Sequence, residues 1–327
     1  MNNSNNVNLS TNVSGIQINN PFMNASGVWC TSRDELIELD NSSSSAVVTK
    51  SCTNEARQGN PKPRYYAIEN EYFSINSMGI PNKGYEYYLD ARTSIKKPYV
   101  LSVSGLSWKE NANILEHAKN SGVDIVELNI SCPNIIGKPQ LGYDFEGFRE
   151  ITRKLVEIWD EPYKKPLGLK LPPYFDGIHF SEVSDIILDF QPTVRFLTCC
   201  NSFGNGLVVD ALSESTVIRP KEGFGGIGGK FLKPTSLANV RKFYTAHDHK
   251  NVDIIGCAGI SSGIDAFEYI LCGAKAVQIG TELKQRGILL FDNVKNELTE
   301  CMSSKGYQSL DDFRGKLKIV NESCYGF

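Results

Sequence analysis

The sequence predicts an α/β protein, a (β/α)8 TIM barrel with long loop insertions at the C-terminal face of its strands. Three observations carry that expectation: eight short apolar runs, helical patterns between most of them, and two connections too long for plain barrel loops. Strands buried on both faces read as continuous apolar runs, and their alternation with helices implies a parallel sheet. Eight such units suit a chain of 327 residues, a length as ordinary for one barrel as for two separate domains. An open doubly wound sheet is the alternative, weakened because no G-x-G-x-x-G follows the first strand.

The elements follow in order. Residues 1–13 are rich in Asn and Ser and have neither the charged start nor the apolar centre of a secretory signal. They read as a disordered tail ahead of one barrel domain over 14–327. The strand-like runs are 22–25, 46–50, 99–104, 125–129, 167–171, 194–199, 253–256 and 276–280. Helical patterns occupy 111–120, 145–159, 180–190, 237–244 and 264–271, and 291–327 reads as an amphipathic helical closure. The long connections are 51–97 and 201–250. Loops of that length in compact domains are usually functional, and in a barrel both lie on the face where active sites are built.

Composition narrows the function. Hydrophobic residues make up 41% and charged residues 22%, with net charge −3, as in a soluble globular protein. A general nucleic-acid binder would carry a basic footprint, and no apolar run approaches the ~20 residues that span a bilayer. Nine cysteines occur without any C-x-x-C, and none of the four histidines stands near a cysteine pair at zinc spacing, so no metal site is expected. Most of the cysteines read as buried free thiols of a reducing, cytoplasmic compartment. Cys132 differs, because it follows an apolar run and stands against Pro133, where a strand has ended and a loop begins.

The strand ends are consistently polar: Ala25-Ser26, Lys50-Ser51, Asn129 with Cys132, Lys170, Asn201-Ser202, Gly259 and Gly280-Thr281. A lone strand-end lysine is usually a solvated rim charge, and a lone Asn a turn residue. Two lysines and several asparagines facing one mouth suit a planar polar ligand better. Gly256-Cys257-Ala258-Gly259 and Gly280-Thr281, on the last two strands, match the usual phosphate site of a barrel, although simple tight turns would look the same.

Taken together, the motifs resemble the dihydroorotate dehydrogenase family from about Val13 to Lys318. They are Asn24-Ala25-Ser26-Gly27, Thr49-Lys50-Ser51, Asn76-Ser77-Met78-Gly79, Asn129-Ile130-Ser131-Cys132-Pro133-Asn134, Gly137-Lys138-Pro139-Gln140, Gly168-Leu169-Lys170-Leu171-Pro172-Pro173-Tyr174-Phe175, Asn201-Ser202 and Gly280-Thr281. The likeness is to the soluble, fumarate-using class (class 1A), because cysteine rather than serine holds the base position and the loop continues Gly-Lys-Pro-Gln. The resemblance implies FMN at the barrel mouth and oxidation of dihydroorotate to orotate in pyrimidine synthesis, with fumarate as oxidant, in a cytoplasmic homodimer without membrane or nucleic-acid partners. It implies Cys132 as general base. It assigns Lys50, Asn76, Ser77, Met78, Gly79, Ile80, Asn129, Asn134, Asn201 and Ser202 to the pyrimidine. Ala25, Ser26, Lys50, Ser51, Asn129, Lys170, Cys200, Gly229, Cys257, Ala258, Gly259, Gly280 and Thr281 fall to FMN. Three residues depart from the common pattern: Ala258 for glycine beside the expected phosphate, Cys200 for valine and Ile80 for leucine.

Other readings compete. A flavin barrel like the last domain of dihydropyrimidine dehydrogenase would need clustered cysteines for iron–sulfur centres, which this chain lacks. A Schiff-base aldolase using Lys170 or Lys50 would be colourless. A barrel kept only as a scaffold would have no reason to retain Cys132 and both lysines.

Overall fold

The computed structural model describes residues 7–68, 73–132, 140–159, 164–247 and 252–320. Each apolar run forms a strand: β1 (Phe22–Asn24), β2 (Val47–Val48), β3 (Tyr99–Val103), β4 (Ile125–Asn129), β5 (Leu167–Lys170), β6 (Val194–Cys199), β7 (Asp253–Cys257) and β8 (Ala276–Ile279). They hydrogen-bond in the order β1-β8-β7-β6-β5-β4-β3-β2, all parallel. The ring closes between β1 and β2 through a Met23–Ala46 bridge. There the Asn24 side chain stands in for missing ladder bonds: its Nδ2 donates to Val48 O at 2.7 Å and its Oδ1 accepts from Val48 N at 2.8 Å.

Helices α1 (Arg33–Asn41), α2 (Tyr85–Ala91), α3 (Trp108–Lys119), α4 (Phe145–Ile158), α5 (Gly177–Asp189), α6 (Lys233–Ala246), α7 (Gly263–Cys272), α8 (Thr281–Arg286) and α9 (Leu290–Ser304) surround the ring. Their starts are chemically marked. Ser32 and Ser262 form capping boxes with Glu35 and Asp265, while Ser107, Asp144 and Asp176 accept first-turn N–H groups. Leu101, Leu128, Leu169, Leu197, Ile254 and Val277 pack outward in one buried cluster with Leu115, Leu155, Ile187, Phe243 and Ile270 of the helices. The lower barrel interior is a second cluster of Met23, Val48, Val100, Ile125, Phe196 and Ile255. Gly168 is required there, because a Cβ on it would stand 2.4 Å from the Phe196 ring.

Two expectations are corrected. The disordered tail does not extend to residue 13: Thr11–Val13 pairs antiparallel with Ile16–Ile18, and Val13 and Ile18 join the inner cluster beneath the strands. Burying two such side chains stabilises by about 1.5–3 kcal/mol each, which outweighs the Asn/Ser-rich composition around them. Residues 1–6 lie outside the described residues. The C-terminal helix is also shorter than 291–327, since α9 ends at Ser304 and only a short turn, Leu310–Asp312, follows among the described residues.

The two long connections meet. Strands Phe203–Gly206, Gly225–Gly229, Phe73–Asn76 and Tyr65–Ile68 form one antiparallel sheet in that order, above the C-terminal ends of the barrel strands.

Candidate active site

The strand ends and this upper sheet enclose a cavity of about 230 Å³. One wall begins at β1, where Ala25 and Ser26 follow the strand. Ser26 Oγ lies 2.9 Å from Ser51 Oγ, which lies 3.0 Å from Ser102 Oγ. Asn129 Nδ2 donates to Ser51 Oγ at 3.3 Å. Its Oδ1 accepts from the Ser131 hydroxyl at 2.9 Å, and Asn201 Nδ2 donates to Ser131 Oγ at 2.8 Å. The hydroxyls and amides past β1, β2, β4 and β6 thus hold one another in a polar belt and keep Asn129 and Asn201 facing inward.

Two lysines enter this belt. Lys50, after β2, is half-buried and meets no carboxylate among the described residues. Burial pushes its pKa down, with Cys30 and Cys132 beside it partly opposing that effect. Lys170 ends β5 and is 3% exposed. Its Nζ donates to Gln278 Oε1 at 2.9 Å and stands 4.0 Å from the Glu127 carboxylate. Burial disfavours the Lys170 ammonium, but Cys257 in its ionised form, and the Glu127 carboxylate, outweigh it and hold the pKa above the ordinary value. The Cys200 thiol is pushed up to about 12, by burial and then by Cys257, so it lines the cavity as an uncharged group. Cys132 lies three residues past β4, half-buried on the cavity wall.

The far end suits an anion. No side chain caps α8, so its first-turn N–H groups are left for another acceptor. Gly259 has φ +68°, and a Cβ there would meet Lys233 Cβ at 2.7 Å and Gly229 O at 3.1 Å. The neighbouring Ala258 also has positive φ, +107°, and its carbonyl accepts from the Tyr269 hydroxyl at 2.6 Å. Ser236 Oγ fixes the same loop by donating to Cys257 O at 2.7 Å. The cavity therefore offers a slot between small residues, a buried cation with amides along one edge, and free N–H groups at one end. Those features fit FMN: the slot would take the ring system, Lys170 its electron-rich edge and the Gly259–Thr281 end its phosphate.

The cavity brings together Cys132, Lys50, Asn76, Met78, Gly79, Ile80, Asn129, Asn201 and Ser202 of the expected pyrimidine set. It likewise gathers Ala25, Ser26, Ser51, Lys170, Cys200, Gly229, Cys257, Ala258, Gly259, Gly280 and Thr281 of the expected FMN set. Ser77 is a correction. Alternation along the extended segment turns it away from Asn76 and Met78, so it is fully buried, with its N–H on Arg64 O and its Oγ accepting from Asn60. Asn134 lies outside the described residues. The sequence reading missed Ser74, whose hydroxyl sits 3.0 Å from Thr281 Oγ1 and joins the upper sheet to α8. Its signal was available: Ser74 and Asn76 are two apart on one strand and so share a face. It also missed Glu127 and Gln278, beneath the cavity floor.

Comparison with known proteins fits this geometry. The family model described as dihydroorotate dehydrogenase matches residues 8–302. A Streptococcus agalactiae protein named putative dihydroorotate dehydrogenase A (fumarate) is 50% identical over 320 residues, covering 96% of this chain and all of the relative. The dihydroorotate dehydrogenase (fumarate) of Lachancea kluyveri is 49% identical, over 92% of this chain and 95% of its own. The Lactococcus lactis protein named dihydroorotate dehydrogenase A (fumarate) is 48% identical, over 95% of this chain and all of its own. A crystal structure of DHODH from Eimeria tenella with ferulenol superposes with TM-score 0.78 at 20% identity, covering 94% of this chain and 88% of that one, a likeness of fold.

Proposed function

The chain belongs to the dihydroorotate dehydrogenase family, and from that premise we propose that it oxidises (S)-dihydroorotate to orotate in pyrimidine (UMP) synthesis, with FMN as cofactor and fumarate as final oxidant. The observation that carries the reading is the convergence of Cys132, Lys50, Lys170, Asn129 and Asn201 on one cavity.

Bound FMN supplies the acceptor for the hydride that leaves C6 of the substrate. Cys132 Sγ removes the C5 proton from the opposite face, the role of general base. A thiol titrates near ~8.5 in water, within reach of neutral pH. Lys50 receives the substrate carboxylate. Burial disfavours its ammonium, so a bound carboxylate supplies a counter-charge that favours it and is itself held. Asn129, Asn201, Asn76 and Ser202, with Met78, Gly79 and Ile80, hold the ring edge without adding another charge. Asn134 is assigned there by resemblance alone. Ala25, Ser26, Ser51, Lys170 and Cys200 would line the FMN ring system. Gly229, Cys257, Ala258, Gly259, Gly280 and Thr281 would hold its phosphate end, and Lys50 and Asn129 would serve both ligands. In the second half-reaction Lys50 would hold a fumarate carboxylate, and Cys132 Sγ would return its proton to one fumarate carbon while the other receives the hydride taken from the first substrate.

One site for two substrates implies ping-pong kinetics with orotate competing against fumarate. The test is rapid mixing of photoreduced holoenzyme with fumarate, with and without saturating orotate. Orotate should suppress reoxidation; an unchanged rate rejects the shared site. We also propose a cytoplasmic homodimer. The free thiols suit a reducing compartment, and Val209 and Leu212 are 60% and 98% exposed on the 201–250 connection, as an interface would require. Sedimentation of a stable monomer at micromolar concentration would contradict the dimer.

A further inference from the structure

The interior of the barrel beneath the cavity holds a buried carboxylate that the chemistry above does not use. We propose that Glu127 is a positioning residue: its carboxylate is the counter-charge that keeps the Lys170 ammonium protonated and aimed at the FMN ring. This rests on the reading that Lys170 meets FMN.

Glu127 lies two residues before Asn129 on β4 and is fully buried. Its Oε2 accepts from Thr198 Oγ1 and from Gln278 Nε2, both at 2.7 Å. Its Oε1 has no hydrogen-bond partner and lies 4.0 Å from Lys170 Nζ. The Gln278 amide is thereby pinned at both ends, with its N–H on Glu127 and its oxygen receiving the Lys170 N–H at 2.9 Å. A carboxylate cannot donate and an ammonium cannot accept, so only this amide orientation serves both. The relay passes the charge state of Glu127 to the direction in which Lys170 points.

The other groups facing Lys170 cannot play this part. Cys257 on β7, Cys200 after β6 and Cys30 after β1 are thiols that burial pushes upward, Cys30 to about 11 and Cys200 to about 12. They are uncharged near neutral pH. Lys50 repels. Among the described residues Glu127 is the carboxylate within range, and without it a buried ammonium loses its compensation and sheds its proton more readily.

The test is the midpoint potential of bound FMN as a function of pH, from pH 6 to 9, in wild type, Lys170→Met, Glu127→Gln, Glu127→Asp and Glu127→Gln/Lys170→Met. In wild type the Lys170 charge is constant, so the gap to Lys170→Met should not change with pH. Glu127→Gln should add a pH step as Lys170 deprotonates. Across it the preference for the two-electron-reduced cofactor falls about tenfold, or about 30 mV. The double variant should lack the step, and Glu127→Asp should restore the wild-type profile. A Glu127→Gln curve parallel to wild type overturns the proposal, as does a Lys170-dependent step in wild type, which decides the matter even where Glu127→Gln does not fold. If Lys170→Met leaves the potential unmoved, the placement of Lys170 against FMN fails, and the proposal with it. If the protein retains no FMN, the cofactor reading fails first.

Discussion

Cys132 and Ala258 are the residues on which the site is most open to test. Replacing Cys132 by Ala should lower turnover by about 10²–10⁴-fold, the usual contribution of a general base, while leaving orotate binding intact. Cys132→Ser should keep some activity, displaced to higher pH, because a hydroxyl is the weaker acid. Flavin reduction at near-normal rate in Cys132→Ala would remove the residue from the mechanism. Ala258 holds φ +107°, a conformation that costs a side-chain-bearing residue on the order of 1–3 kcal/mol. Ala258→Gly relieves that strain, less the ~0.4–1 kcal/mol lost to a freer unfolded chain. It should raise the thermal midpoint and tighten FMN binding together; a lower midpoint and weaker binding would show that the loop is relaxed as it stands. At this scale the sequence disclosed the residues at strand ends, because position along a barrel strand implies the mouth. It did not disclose Glu127, which reads as one polar letter inside Ile125–Asn129. Its partners come from 71 and 151 residues away, and no local pattern links them.

At the scale of elements, the eight strands and the longer helices were legible from periodicity, whereas two early helices were not. α1 carries a start signal in Ser32-Arg33-Asp34-Glu35, but it fully buries only Leu36 and Leu39, with Ile37 partly buried beside them, too little to stand out as a period. α2 begins at Gly84 with no side-chain cap. The sequence also conceals a repeated joint. Lys97, just before β3, donates to Leu39 O at 2.9 Å and Ser42 O at 2.6 Å at the end of α1. Lys165, just before β5, donates to Ala118 O, Lys119 O and Ser121 O at 2.7–3.0 Å at the end of α3. Each stands in Lys-Lys-Pro, and each adds a charged donor to the last carbonyls of the helix leading into the neighbouring strand. Lys165→Met keeps most of the volume and takes one shared donor from three carbonyls. It should lower stability by about 1–3 kcal/mol, read as a shift in urea midpoint with unchanged slope. A midpoint within error of wild type would mean that water replaces the ammonium.

For the molecule as a whole, acid stability should turn in part on one imidazole. His247 ends α6, buried and stacked on Phe243, and burial holds it down at about 4 against 6.5 ordinarily. The unfolded chain therefore takes up this proton first as pH falls below 6.5. Stability is full above that value, declines down to about pH 4 and then levels off. Between pH 7 and pH 5 this group should account for about 2 kcal/mol of lost stability. His247→Phe should flatten that part of the profile, and identical losses in both proteins would assign the acid sensitivity elsewhere.

The upper sheet has a consequence of a different kind. Asn76 and Gly226 lie opposite each other in it, with Asn76 Nδ2 donating to Gly226 O, although 150 residues separate them in the chain. The lid of this enzyme is thus one object in space and two in the gene. Neither half can be lengthened, shed or exchanged without presenting a raw edge to its counterpart. Any recombination between relatives that takes one half must take the other, so the two segments are bound to a common inheritance.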